Sequence, residues 1–190
     1  MGHDRPTLTA LAAALCMGAA VAQPVLPEGE KSLVAVTRDG QRTRIGSVFF
    51  QPAAAGAAGF RVQMDRAVMQ DHFLSMREFK CLPAEQEISC HVPYPYAQPG
   101  TASATQLAWL EHSLLFFYKQ PKDFGAKLWN GIVFQFTATP TALVGVPQAV
   151  DLNRIGVPPD DLSVPPYGAT DRDPFTPGAR WLTELRIESP

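Results

Sequence analysis

Eighteen prolines spread through 190 residues constrain this chain more than any other feature. Each removes a main-chain N–H that a helix interior or a central strand would use. Helix is therefore a minority component, and much of the backbone is irregular or extended. With 46% hydrophobic residues the chain still has enough apolar side chains to fold around a core rather than stay disordered.

The N-terminus sets the expected compartment. Arg5 precedes an apolar run, "LTALAAALCMGAAV", from Leu8 to Val21, and Ala20-Val21-Ala22 supplies the small-x-small pattern read by a signal peptidase. A run of about 14 residues is short for a membrane span, which needs roughly 20. The expectation is a signal peptide over residues 1–22 and an exported domain over residues 23–190, periplasmic, or else secreted. Cys16 leaves with the signal, so Cys81 and Cys90 are the cysteines that remain. The formal net charge is −2 and no basic run exceeds two residues, so nothing favours an anionic membrane and no nucleic-acid partner is expected. No apolar run after Val21 approaches the length of a span, so no stable membrane span is expected in the mature chain.

Along the chain, "SLVAVTRDGQRTRIGSVFFQ" reads as two strands around Asp39-Gly40, a pair favoured where turn residues take positive φ. "FRVQMD" alternates Phe60, Val62 and Met64 as a third strand. Asp65 can cap a helix over "RAVMQDHFLSM", where Met69, His72, Phe73 and Met76 fall at helical spacing. A second helix is expected over "TQLAWLEHSLLFFYK", with Ser103 and Gln106 as a capping box. Its Leu107, Leu110, Leu114 and Phe117 make one apolar stripe and Trp109, His112 and Phe116 a second. Such a helix is buried on both sides or presents aromatics to a partner. "LWNGIVFQFTAT" and "ALVGVPQAVDL" form another antiparallel pair turning at Pro140-Thr141, with Pro147 at an edge or bulge. Val157 to Pro177, with six prolines, is an extended surface segment, and "RWLTELRIE" is a final strand. No regular strand–helix alternation runs through this order. The expected fold is a single α+β domain with a curved, mainly antiparallel sheet, two short helices and the proline-rich C-terminal segment.

The chemistry has to pass through "REFKCLPAEQEISCHVPYPY". Eight residues separate Cys81 from Cys90, an even count that permits direct opposition across a hairpin, with Leu82 against Ser89 and Pro83 against Ile88. In an exported protein a disulfide is the default. A metal site remains the alternative, with Cys81, Cys90 and His91 joined by His72 or His112 and suited to copper or zinc. Adjacent Cys90 and His91 point to opposite faces of a strand, which disfavours it. A redox dithiol would place its cysteines two residues apart at a helix start. His72 and His112 each follow an acid, but neighbours on a helix are about 100° apart and make no dyad. The chain has no "GxSxG", "HExxH", phosphate loop or dinucleotide fingerprint, so an enzyme is not the expectation and no cofactor is implied.

"FLSMREFKCL", "SCHVPYPY" and "WNG" resemble motifs of an uncharacterised family of exported proteobacterial proteins, over roughly Phe73 to Ile155. The resemblance implies export and carries no known activity with it. Two functions remain open. The first is a non-catalytic periplasmic module that binds an unidentified protein or envelope component through Tyr94, Tyr96, Trp109, His112 and Phe116. The second is a carrier of a small apolar ligand in a cavity lined by Phe49, Phe134, Phe136, Leu114 and Phe117. If the segment from Val157 to Pro177 covers the second helix stripe, that stripe is core.

Overall fold

The computed structural model describes Met1 and residues 26–53, 56–74 and 77–190. Residues 2–22 of the expected signal peptide lie outside these residues. Twelve strands form one antiparallel sheet: β1 (Gly29–Thr37), β2 (Arg42–Pro52), β3 (Ala58–Met64), β4 (Gln70–Leu74), β5 (Arg77–Pro83), β6 (Ile88–Val92), β7 (Thr101–Ala102), β8 (Leu115–Lys119), β9 (Gly131–Ala138), β10 (Ala142–Val150), β11 (Asp173–Pro174) and β12 (Leu182–Glu188). Their order is β4-β5-β6-β8-β9-β10-β12-β1-β2-β3-β7, with β11 paired to β10. The single α-helix among the described residues, α1, spans Ala108–His112.

The β1–β2 hairpin turns where Asp39-Gly40 predicts, with Gly40 at φ +80°. Between Leu33 and Val34 the register slips, because Ile45 is an extra residue on β2. That bulge keeps Ile45, Val48 and Phe50 all buried in one core. Beside it Gly46 lies so close to β3 that a Cβ would sit 2.3 Å from the Gln63 carbonyl. β12 is inserted between β10 and β1, and two inward rows cross the sheet: Leu143, Ile187 and Leu33 in one, Phe136, Gly145, Leu185 and Ala35 in the other. Pro147 falls where β10 passes from pairing with β12, which ends at Gly145, to pairing with β11 at Gln148, so its missing N–H interrupts no continuous ladder there.

α1 touches both β7 and β9, although five strands stand between them in the sheet. The sheet therefore curls, and α1 fills the gap between its turned-in end and β9. Leu107, Leu110 and Leu114 enter the inner core with Phe50, Phe116, Phe134 and Ile187. An outer core lies on the opposite face of β6, β8 and β9 and contains Cys90, Leu115, Phe117, Val133, Trp109 and Tyr167.

The helical half of the α+β expectation is corrected. The Asp65 carboxylate accepts the Ala67 N–H at 2.8 Å and its carbonyl accepts the Met69 N–H at 2.8 Å, but this makes one turn only. Gln70–Leu74 then pairs with β5, so His72 and Phe73 are strand residues, while Met76 lies outside the described residues. The second helix stops after five residues, because "LFFYK" pairs with β6 as β8. Ser103 and Gln106 form an isolated bridge instead of a capping box, and Leu107 stands at the helix start. Aromatic β-propensity and cross-strand pairing override the helical spacing.

Candidate functional site

Cys81 and Cys90 face each other in the β5–β6 hairpin, with Leu82 opposite Ser89 and Pro83 opposite Ile88. They form a disulfide, S–S 2.04 Å, both residues fully buried. The sulfurs are therefore not thiolate ligands. His91 faces away from them, against the Phe116 ring, with Nε2 3.0 Å from the Ser113 carbonyl. Burial holds its pKa below the usual histidine range, although that carbonyl acts to raise it. His72 sits opposite Phe79 on β4, on the disulfide's side of the hairpin. Among the described residues no group of three or more His, Cys, Asp or Glu is arranged to hold a metal ion.

The aromatic candidates separate into two groups. Tyr94, Tyr96, Trp109 and His112 form one cluster, with Tyr94 edge-on to Tyr96 at 5.8 Å and to Trp109 at 5.7 Å. Phe116 lies on β8 and points into the inner core, against Phe134. Trp109, His112 and Phe116 are buried, Tyr94 is nearly so and Tyr96 is half-buried. The stripe is not an exposed face, because the segment from Val157 to Pro177 crosses it.

Tyr167 is the centre of that crossing. Its ring stacks on His112 at 5.4 Å, its N–H donates to His112 Nε2 at 3.1 Å, and its hydroxyl donates to the Asp151 carbonyl at 2.8 Å. His112 Nδ1 in turn lies 2.7 Å from the Ala108 carbonyl. Only the neutral Nδ1–H tautomer satisfies both contacts, since Nε2 must accept. Burial pushes the His112 pKa down to about 4, with Arg172 contributing in the same direction. Burial likewise raises the Tyr167 phenol above its ordinary value.

Glu111 points the other way and anchors the same crossing. One oxygen accepts the Phe136 N–H at 2.9 Å, and the other pairs with Arg172 Nη1 at 2.7 Å. Both side chains of this ion pair are about nine-tenths buried. The Phe136 N–H needs a side-chain partner because β8 pairs with β9 only at Phe116–Ile132 and Phe117–Gly131, leaving the rest of that edge without a neighbouring strand among the described residues. Arg172 Nη2 also donates to the Tyr167 carbonyl at 3.1 Å. Arg154 pairs with Asp171, which accepts the Gly168 N–H, so the strap is held again just after Tyr167.

Beside this clamp is a groove of about 980 Å³. Trp109 and Val164 contribute apolar surface with buried Tyr167 behind them, while Thr101 of β7 and Gln135 and Thr137 of β9 supply strand walls. Sequence reasoning missed Tyr167, Glu111 and Arg172. The one signal for Tyr167 was a large aromatic between prolines in a stretch otherwise poor in apolar periodicity. The structure thus defines a mainly antiparallel β protein whose curled sheet is stapled at one hairpin and strapped across its outer face. Comparison with family models, with curated proteins and with solved structures gives no match. Among the described residues no helix is long and apolar enough to cross a membrane.

Proposed function

We propose that the chain is an exported, non-catalytic module that binds an extended segment of a protein partner in the groove beside α1. The observation that supports this reading is apolar surface beside strand edges that no other described strand covers, with the Phe136 N–H alone already taken by Glu111. β9 beyond Ile132 has no strand on its α1 side among the described residues, and β7 pairs only with β3. Strand edges capture extended chains through main-chain hydrogen bonds, and adjoining apolar pockets select their side chains. The disulfide supports export, because neighbouring thiols oxidise outside the cytoplasm. Periplasmic location and kinship with the exported proteobacterial family belong to the same proposal.

The carrier reading has less support. Leu114 and Phe134 belong to the inner core and Phe117 to the outer one, on opposite sides of the sheet. Phe49 alternates with buried Val48 and Phe50 and lies outside, with the Arg61 guanidinium 5.8 Å from its ring centroid. These side chains cannot line one cavity.

A phage-displayed peptide library panned on the oxidised protein tests the proposal. Thr137 and Val164 are exposed at the groove, so Thr137→Arg with Val164→Glu blocks it without touching a core. The expected result is a family of enriched peptides whose binding falls at least about tenfold in that variant, the equivalent of about 1.4 kcal/mol, and is unchanged in Arg61→Glu. Absence of enrichment, or equal binding to the blocked variant, rejects the reading.

A further inference from the structure

A second cavity, of about 830 Å³, opens at the end of β8, between the β5–β6 loop and the approach to β12. Lys119, the last residue of β8, lines it. Alternation along the strand puts Lys119 on the same face as Leu115 and Phe117, and the residue is only 4% exposed. Its ammonium makes no hydrogen bond or ion pair with any described residue.

The neighbouring charges do not supply the missing partner. Arg180 lies over the Tyr118 ring, 3.6 Å from the centroid, and pairs with Glu87 at 3.3 Å. Its Nε and Nη1 are nevertheless buried without a hydrogen-bond acceptor among the described residues. Glu87 is shared with the Trp181 N–H and the Ser89 hydroxyl, each at 3.4 Å. Burial also raises its pKa, against the pull of Arg180, which weakens it further as a counter-charge. Asp39 is occupied by the Thr37 hydroxyl, and Glu85 is exposed to solvent. Lys122, exposed, adds a further cation at the rim. The Lys119 stem is buried, but its ammonium, unlike Arg180 Nε and Nη1, is not a fully buried atom and so meets the cavity; with Arg38, Lys122 and Arg180 it outnumbers the lining acids Asp39, Glu85 and Glu87 by four to three, and the cavity wall is net positive.

We infer that this cleft binds an oxyanion, the carboxylate or phosphate group of a small molecule, with the Lys119 ammonium as its principal partner and Arg180 and Lys122 completing the positive wall. Lysine serves such groups as a point charge on a long stem. The cavity volume falls within the roughly 300–1,000 Å³ of small-molecule sites. This site is separate from the groove beside α1, and either can fail without the other.

The test is titration of the oxidised protein with inorganic phosphate and, separately, with acetate at constant ionic strength, followed by amide chemical shifts. The expected result is saturable shifts confined to Tyr118, Lys119, Arg180 and their neighbours. Saturation by phosphate alone assigns a phosphate group, and equal response to acetate assigns a carboxylate. Lys119→Met keeps the buried stem and is expected to weaken binding about tenfold or more. Lys122→Gln, on the exposed rim, is expected to weaken it about threefold and does not depend on core packing. No saturable shift up to about 50 mM, far weaker than roughly millimolar affinity, overturns the inference. So does unchanged affinity in both variants.

Discussion

The inner and outer cores of this protein are closed by different means. The inner one is almost wholly apolar: Phe50, Leu110, Leu114, Phe134, Leu185 and Ile187 pack inside the curl, each at most 1% exposed. Such packing is non-directional and tolerates exchange of one hydrophobe for another. The outer core carries a disulfide, a histidine with both ring nitrogens engaged and, at its border, a buried Glu–Arg pair. These contacts are directional, and each buried polar group depends on one named partner. The difference teaches that the curled sheet stands on sequence pattern, whereas the strap over its outer face stands on a few long-range contacts that fail individually.

The sharpest contrast is between Phe134→Ala and Glu111→Ala. Both are expected to cost roughly 3 to 5 kcal/mol, the first by leaving a cavity, the second by leaving Arg172 a buried unpaired charge and Phe136 an unsatisfied N–H. Chemical denaturation followed by the near-ultraviolet signal of the tryptophans checks the size. The comparison predicts that Glu111→Leu with Arg172→Met recovers much of the loss, since an apolar pair leaves no stranded charge, while the Phe136 N–H remains unpaired. Equal loss in the single and double variants would break the distinction.

Acid should loosen the outer region first. His112 has a folded pKa of about 4 against an ordinary value of 6.5. Between those values the unfolded chain binds a proton that the folded chain refuses, so stability falls as pH drops through this window and is fully present above it. The share from His112 is about 3 kcal/mol. His91, also buried and depressed, adds a slope of the same sign. The measurement is therefore the difference in pH dependence between the wild type and His112→Phe, expected to be largest between about pH 4 and 6.5. Parallel curves would contradict the tautomer assignment.

Loss of the disulfide is the smaller perturbation. Eight residues lie between its cysteines, and the chain-entropy model assigns such a loop about 2.5 to 3 kcal/mol. Cys81→Ala with Cys90→Ala, compared with the oxidised protein in urea, is expected to lower the midpoint and leave Phe134→Ala additive to it, because the inner core shares no partner with the staple. Strong non-additivity would merge the two regions into one.

What could be read from the chain follows the same division. Asp39-Gly40, the Cys81–Cys90 register, the β9–β10 pair and the last strand rest on neighbours close in sequence or on strict alternation, and the structure has them where the residues indicate. The first helix failed because His72 and Phe73, at helical spacing from Met69, equally fit the short strand that pairs with β5. "LFFYK" failed in the same way, and read as a helix end it hid Lys119 from notice. Read as a strand, Leu115, Phe117 and Lys119 share a face. Nothing near Glu87 in sequence indicates that Arg180 packs against it from 93 positions away. The strap was illegible for a physical reason: proline-rich backbone has no hydrophobic period, and Tyr167 finds His112 only through the fold.

Hydrogen exchange at the Tyr167 amide tests the central claim most directly, since that N–H donates to His112 Nε2 and to nothing else described. The account predicts clear protection at pH 7, a protection factor that falls below about pH 5 as His112 protonates, and loss of that protection in His112→Phe while the amides of Leu33 and Leu185 stay protected. Exchange of Tyr167 at the rate of an open loop at pH 7, or its protection falling only together with Leu185, would contradict it.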